Sequence, residues 1–356
     1  MMRLLQVLGG SPHGGAENFF MRLAPQLDPH VSQEIFMRGR KGRIEELRQQ
    51  GLKVKQGSFR GAFDLKTRLQ SFQEIRHFRP DLVLTWMNRA TLSCPSSQIL
   101  RKFLPPFIHV ARLGGFYNLK YYKNCDALIG NTKGIVTYLK EKGWPSEKVF
   151  YLPNFVDLPD LSTVSPLCKT RYENSEDVPV ILAAGRLHPN KAFDTLIRAM
   201  VFLKEVSLWI LGEGPQEKYL KDLARDLGVL GRVRFLGWQE NMGPFYKAAT
   251  LFVCPSRHEP LGNVILEAWA NGCPVIAASA EGPRELIEPG KTGLLFPIDD
   301  VPALVSCLKE SLKAASLRAQ FQKEGRKMVA QNFSKEKVVA EYLACFSSLL
   351  KHKKGL

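Results

Sequence analysis

The chain has 356 residues, enough for two domains of ordinary size, each with its own hydrophobic core. Apolar residues make up 45%, yet no apolar run reaches the roughly 18 residues a membrane-spanning helix needs, so composition points to a globular chain. The formal charge of +16 admits nucleic acid, an anionic membrane, a polyanionic substrate or a solvated lysine-rich surface, while seven scattered cysteines without a C-x-x-C pair argue against zinc and disulfides and for a reducing cytoplasm.

Short apolar strands alternate with amphipathic helices along the whole chain, the pattern of parallel α/β sheets. The opening residues 1–8 read as a buried strand over 3–8, because this apolar stretch is short for a secretion signal and runs straight into Gly9-Gly10. Next come a helix over 16–27, a strand over 31–37, helices over 43–50 and 65–78, and strands at 82–85, 107–111 and 127–130. Residues 151–157 lead out of this set, and the Pro-, Ser- and Thr-containing stretch 158–177 reads as a linker. A second α/β set has strands at 178–184, 207–211, 233–236, 251–254, 275–278 and 293–296. The last helix, 334–351, is placed to cross back over the first domain. The expected fold is α/β: two doubly wound, Rossmann-like domains, 1–157 (with the last helix) and 178–333, facing a cleft outside their strand ends.

Three loops carry candidate chemistry. Gly9-Gly10-Ser11-Pro12-His13-Gly14-Gly15-Ala16-Glu17 joins strand one to helix one, where glycines permit close backbone approach and a helix N-terminus favours an anion. An unliganded βα turn explains that loop equally well. Gly185-Arg186-Leu187-His188-Pro189-Asn190-Lys191 follows the first strand of the second set; its arginine and lysine can converge on one diphosphate, or be two unrelated surface cations. The most informative stretch runs from Ser256 to Ala277. A turn there carries Glu259, a short helix starts near Asn263 (a good N-cap type), Glu267 lies along its body, and Asn271-Gly272 ends it. Phosphate-binding amides flanked by two acidic acceptors suit a nucleotide sugar, which has hydroxyls at both ends and a diphosphate between them.

Together these elements resemble the family 4 retaining glycosyltransferases of the GT-B fold, of the bacterial group 1 type, over nearly the whole chain. The resemblance rests on Gly14-Gly15-Ala16-Glu17, on Pro153-Asn154-Phe155-Val156-Asp157, and on Gly185-Arg186-Leu187 with Lys191. It also rests on Gly212-Glu213-Gly214-Pro215, on residues 233–237, and on residues 281–287 leading to Gly290-Lys291-Thr292-Gly293. Its specific element is the Glu259/Glu267 pair with seven residues between.

The resemblance implies that Arg186 and Lys191 neutralise the departing diphosphate, that Glu259 binds hydroxyls of the transferred sugar, and that Glu267 binds the ribose. Amides near Leu261, Gly262, Asn263 and Val264 would hold phosphate and sugar oxygens, Gly237 and Trp238 would lie by the base, and Gly14 and Gly15 would close on the donor from the first domain, the acceptor side. This chain departs from the pattern in three places. Ala192 follows the lysine where glycine is usual, and the turn reads Glu259-Pro260-Leu261-Gly262-Asn263. Where a histidine commonly ends a first-domain strand, His109 and Arg112 point to opposite faces; Arg112 is expected to face the cleft as a catalytic residue and His109 to be buried. Tyr117, Tyr121 and Tyr122 either line an acceptor site or pack structurally.

The expected protein is a cytoplasmic, peripheral-membrane glycosyltransferase that works with retention, with a nucleoside diphosphate sugar as co-substrate and no cofactor. No metal is expected, since no Asp-x-Asp motif is present. Its expected partners are a glycan or glycolipid acceptor, lipopolysaccharide by family habit, and an anionic membrane met by basic clusters at 38–43, 101–102 and 351–354. Nucleic acid is not expected, for want of zinc-finger spacing or an aromatic-rich ribonucleoprotein motif. The alternatives are a phosphorylase-like enzyme, for which the chain is short, and a non-catalytic polyanion- or nucleic-acid-binding protein retaining the fold.

Overall fold

The computed structural model describes residues 1–10, 14–39, 41–60, 64–95, 97–172 and 175–354, the side chains of Lys41, Gln98, Arg171, Tyr172 and residues 352–354 excepted. Ser11, Pro12 and His13 of the first glycine loop, Arg40, and the side chains of Lys41 and His352-Lys353-Lys354 in the basic clusters therefore lie outside the described residues. The chain divides into two compact units, residues 1–155 with 336–356, and residues 156–335.

Among the described residues, the first unit holds a seven-stranded sheet of β1 (Arg3–Leu8), β2 (Ser32–Met37), β3 (Lys53–Gln56), β4 (Leu82–Trp86), β5 (Ile108–Leu113), β6 (Ala127–Gly130) and β7 (Val149–Tyr151). Their order is β3-β2-β1-β4-β5-β6-β7, every neighbouring pair parallel. The helices are α1 (Gly15–Leu27), α2 (Lys41–Gln49), α3 (Leu65–Phe78), α4 (Met87–Ser93), α5 (Gln98–Arg101) and α6 (Lys133–Glu141). Because both faces are covered, the central strands are buried and mostly apolar: Leu4 and Leu8 join the cluster under α1, while Leu5 and Val7 join Ile75 and Phe78 of α3 on the other face. The two strands that sequence reading did not find, β3 and β7, are the sheet's edges. Each is short and has one buried residue, Val54 and Val149.

The second unit has β8 (Val180–Ala184), β9 (Ser207–Leu211), β10 (Val233–Phe235), β11 (Leu251–Cys254), β12 (Val275–Ala278) and β13 (Gly293–Phe296). These form a parallel sheet in the order β10-β9-β8-β11-β12-β13. Its helices are α7 (Phe193–Ala199), α8 (Glu217–Asp226), α9 (Gly243–Ala248), α10 (Asn263–Ala270), α11 (Glu281–Leu286), α12 (Val301–Lys313) and α13 (Ala315–Asn332). The stretch expected as a linker packs onto this unit. Lys247 on α9 donates to the carbonyls of Leu161 and Val164 at 2.6 and 2.5 Å, and Arg326 on α13 donates to that of Pro159 at 2.7 Å.

The final helix, α14 (Lys335–Lys354), returns to the first unit. Val338, Tyr342, Cys345 and Phe346 recur at helical spacing and fill the cluster that holds Phe19, Trp86 and Phe155. Arg112 lies at the heart of that contact, which corrects its expected role. It is 1% exposed, its guanidinium stands 4.9 and 4.7 Å from the rings of Phe19 and Trp86, and it donates to the Tyr342 hydroxyl at 2.8 Å and to the Asn154 side-chain oxygen. The penultimate residue of β5 is thus closed over by α14 and the chain at Asn154, and the arginine ties them together. Among the described residues no helix is long and apolar enough to cross a membrane, and the seven cysteines are unbridged.

His109 is buried as expected, with Nε2 3.0 Å from the Thr85 hydroxyl. Burial, aided by the charge of Arg101, pushes its imidazole from 6.5 down to about 3. A histidine whose folded value lies below its unfolded one takes its proton in the unfolded chain. Stability is therefore full above pH 6.5 and falls as pH drops from there toward 3. Urea titration should show the first unit losing about 1.4 kcal/mol per pH unit through this window, and His109→Gln should flatten that limb. An unchanged slope in the variant would assign the acid sensitivity to other groups.

Candidate functional site

The second sheet's order sends the chain from β8 through β9 to β10 on one side, and from β11 through β12 to β13 on the other. The loops after β8 and β11 therefore diverge and leave a crevice at the carboxyl ends of those strands, where open α/β sheets bind ligands. Bare backbone forms part of its floor. Gly185 and Gly212 directly follow β8 and β9, and Gly237 lies two residues past β10; the Gly212 amide donates to the Gly237 carbonyl at 2.7 Å, and a side chain on Gly212 would collide with the Gly185 carbonyl.

Lys191 and Glu259 meet across the crevice in an ion pair, their side chains 25% and 12% exposed. The Ser256 hydroxyl donates to the same carboxylate oxygen at 3.3 Å. Burial alone would depress the Lys191 ammonium, but the charge of Glu259 outweighs it and holds the lysine above its ordinary 10.5. The raised value makes this pair's contribution complete below pH 10.5 and lost only as pH climbs through the folded value, so the cation persists throughout neutral pH. Burial, with Glu259 beside it, pushes the neighbouring Cys254 up to about 11, which keeps it a neutral thiol. Ala192, where glycine is usual, has φ +50° and ψ +37°, a left-handed conformation that costs an alanine about 1–2 kcal/mol. The turn that aims Lys191 is held in spite of that cost.

What holds it is Arg257, a residue the sequence reading passed over. Its guanidinium grips Asp194 with two bonds of 3.0 and 2.8 Å, reaches Asp299 at 2.8 Å, and donates to the Pro189 carbonyl at 2.7 Å. Its own amide donates to the Asn190 carbonyl at 2.8 Å. One arginine therefore fastens the lysine loop to the glutamate loop, using the planar fork that a lysine lacks.

Glu267 sits on α10, where the Tyr246 hydroxyl lies 3.4 Å from its carboxylate. Burial and then the Glu267 charge push the Tyr246 phenol well above 10, so it remains a donor. The N-cap of α10 is Gly262, at φ +91°, and Asn263 is the first helical residue rather than the cap. The left-handed turn needs glycine, and that requirement overrides asparagine's capping preference. Gly282, at the start of α11, donates to the Glu259 carbonyl at 2.8 Å, so the loop from Glu259 to Gly262 rests on it. Leu261 and Gly262 are buried, while Asn263 and Val264 are part-exposed at the first turn of α10.

The structure thus brings Lys191 directly onto Glu259 and keeps Glu267 apart, beside Tyr246. Arg186 is exposed and has no hydrogen-bond or ion-pair partner among the described residues, and Trp238 is 66% exposed just beyond Gly237. In the first unit Gly14 precedes α1 and Gly15 begins it. The close approach that Gly10 and Gly14 make is to the buried carboxylate of Glu17, which would collide with a side chain at either position.

The model of the family "Glycosyl transferases group 1" matches residues 169–328. The chain is 34% identical over 339 residues to the lipopolysaccharide core biosynthesis glycosyltransferase LpsE of Rhizobium meliloti (strain 1021), covering 94% of this chain and 96% of that protein. It is 30% identical over 354 residues to LpsD of the same organism, covering 97% and 98%. Among solved structures, a glycosyltransferase from Rickettsia africae ESF-5 superposes with a TM-score of 0.86 at 19% identity, covering 98% of this chain and 99% of that one. Anabaena Alr3699/HepE, crystallised with UDP and glucose, superposes with a TM-score of 0.83 at 20% identity, covering 98% and 100%.

The loop's seat on Gly282 can be tested by stability. A Cβ there would stand 2.7 Å from the Glu259 carbonyl oxygen and closer still to the Leu261 backbone, whereas one on Gly231 would meet nothing within 4 Å. Gly282→Ala is expected to cost the second unit about 1–3 kcal/mol in urea unfolding, and Gly231→Ala to be neutral or stabilising by up to about 1 kcal/mol. Equal effects of the two would mean that the 259–262 loop is not seated as described.

Proposed function

Since the chain belongs to the group 1 glycosyl transferases, we propose that it moves a sugar from a nucleoside diphosphate donor to a hydroxyl of a lipopolysaccharide core glycan. Transfer proceeds with retention at the anomeric carbon and without a metal ion. The observation that carries this reading is the Lys191–Glu259 pair across the crevice of the second sheet. The donor class is supported by the likeness to a protein crystallised with UDP and glucose, and the acceptor class by the names of the two full-length relatives.

In the reaction the bond from the anomeric carbon to the β-phosphate oxygen breaks, and its electron pair stays on the diphosphate. The acceptor oxygen forms the new bond to that carbon, and its proton passes to the departing phosphate. Negative charge therefore grows on the diphosphate, and groups fixed there lower the barrier. Lys191, charged at neutral pH, and Arg186 supply cations, while the amides from Leu261 to Val264 at the start of α10 hold phosphate oxygens. Glu259 accepts hydrogen bonds from hydroxyls of the transferred sugar and Glu267 from the ribose, with Gly237 and Trp238 beside the base. Arg112 has no part in these contacts; it positions α14.

Lys191→Ala and Arg186→Ala are each expected to lower kcat/KM about 100-fold, the loss of one charge-assisted contact of about 1.5–3 kcal/mol, and wild-type activity should persist in EDTA. Unchanged kinetics in both variants would remove the diphosphate from this loop, and a metal-reversible loss in EDTA would replace the cation reading with a metal one.

The proposal includes a peripheral position on the cytoplasmic face of an acidic membrane, where a lipid-linked acceptor lies. It is supported by the charge of +16 and by the exposed side chains of Ile99, Leu100 and Phe103, with exposed Lys102 between them. Arg101 of that cluster is engaged internally, with Asp126 at 2.8 Å. The protein should float with phosphatidylglycerol-containing vesicles at low salt and release them as salt rises, and Ile99→Ser with Phe103→Ser should weaken flotation. No flotation at low salt would leave the charge as a solvated surface.

A further inference from the structure

The first unit has a concave feature lined by aromatic and basic side chains. It is an open concavity of about 680 Å³ between α6 and the turn Leu119–Tyr121 that follows β5. Phe116, Tyr138 and Trp144 present aromatic rings to it, and Lys120, Lys123 and Lys142 bring ammonium groups; no acidic residue lines it.

The rings are held in place. Phe116 is 42% exposed and packs edge-on against Tyr138, with centroids 5.5 Å apart at 81°. The Tyr138 hydroxyl donates to the Tyr117 carbonyl at 2.9 Å, and Tyr138 and Trp144 are anchored on the cluster of Ile135 and Leu139. Trp144 is set by the end of α6: Gly143 has φ +90° and donates to the Lys140 carbonyl, while the Trp144 amide donates to Leu139 at 3.1 Å. That closing motif fixes where the next side chain emerges.

The lysines, by contrast, are left over. None of the three has an acidic partner among the described residues. Lys142 stands 6.0 Å from the centre of the Tyr138 ring, and Lys120 stands 5.0 Å from that of Tyr121. Aromatic faces bordered by unpaired cations match a ligand with flat apolar faces and negative charge.

We propose that this concavity is a subsite for an acidic saccharide, whose sugar faces stack on Phe116, Tyr138 and Trp144 and whose carboxylates or phosphates meet Lys120, Lys123 and Lys142. The choice of a saccharide over another aromatic-compatible polyanion rests on the glycosyltransferase reading above. The subsite would hold a charged stretch of the acceptor glycan outside the reacting hydroxyl, and so add affinity without chemistry.

The test is calorimetric titration of the full chain with tetragalacturonate, with neutral maltotetraose, with an oligothymidylate, and separately with UDP, GDP and ADP. Tetragalacturonate should bind and maltotetraose should bind at least tenfold more weakly. The double variant Lys120→Glu with Lys142→Glu, and Trp144→Ala, should each lower tetragalacturonate affinity at least tenfold and leave nucleotide affinity unchanged. Both lysines are exposed, so the charge variants report even where Trp144→Ala fails to fold. Nucleotide binding without tetragalacturonate binding would overturn the subsite alone. Tetragalacturonate binding that the variants do not change, or tighter Trp144-dependent binding of oligothymidylate, would also overturn it. Absence of binding by every nucleotide would instead strike the donor reading.

Discussion

A parallel sheet covered on both faces leaves only the ends of its strands for chemistry, and that constraint governs both units. Central strands such as Leu82–Trp86 and Leu251–Cys254 are buried at every position, so no side chain in them can meet a solute. Binding groups must stand on the loops past the carboxyl ends, and in the second sheet the reversal of strand order between β8 and β11 makes two such loops part. The Lys191–Glu259 pair bridges that gap. Its components come from loops 68 residues apart in the chain, and Arg257 makes their meeting rigid by bonding to Asp194, Asp299 and the Pro189 carbonyl. A charged site held by such bonds needs little reorganisation when charge develops in it.

The first unit uses buried polar groups for a different end. Gln6 donates to Gln33 at 2.9 Å and accepts from the Trp86 indole at 3.1 Å, and Gln33 passes a bond of 2.7 Å to the Ala24 carbonyl. This chain of satisfied groups fixes β1, β2, β4 and α1 in register. Arg112 does the same for the returning helix. A buried cation with aromatic faces on two sides and neutral oxygen acceptors is expensive to strip of its partners, so it specifies one docking of α14. His109, on the opposite face of the same strand, stays neutral because the loss of water, with the charge of Arg101, outweighs the opposing charge of Asp126.

Much of this was legible in the residues. Helix 65–78 was read to the residue, and the structure shows Asp64 capping it by accepting from the Thr67 amide at 3.0 Å. The central strands were visible as apolar runs, and the returning helix as the segment 334–351, observed over Lys335–Lys354. The edge strands β3 and β7 of the first sheet were not, although β10, an edge of the second sheet with a single buried residue as well, was. Asn263 was read as a cap because capping preference is local, whereas the left-handed turn at Gly262 is imposed by the seat of the loop on Gly282. Arg257 and Tyr246 went unnoticed because their significance lies in Asp194 and Glu267, which are distant in the chain and have no spacing to betray them.

The amino-acid sequence by itself determined the α/β class, the order of the elements and which loops carry the glycines, cations and carboxylates, because those follow from hydrophobic period and local turn chemistry. Only the tertiary structure decided which of the charged residues face one another. Arg112, near a strand end, and Lys191, in a loop after a strand, both look available in the chain. One is enclosed by a helix that begins more than 200 residues later, and the other is paired across a crevice that exists only once β8 lies beside β11. Burial and pairing are properties of neighbours in space, and distant segments become neighbours only when the sheet has closed its faces.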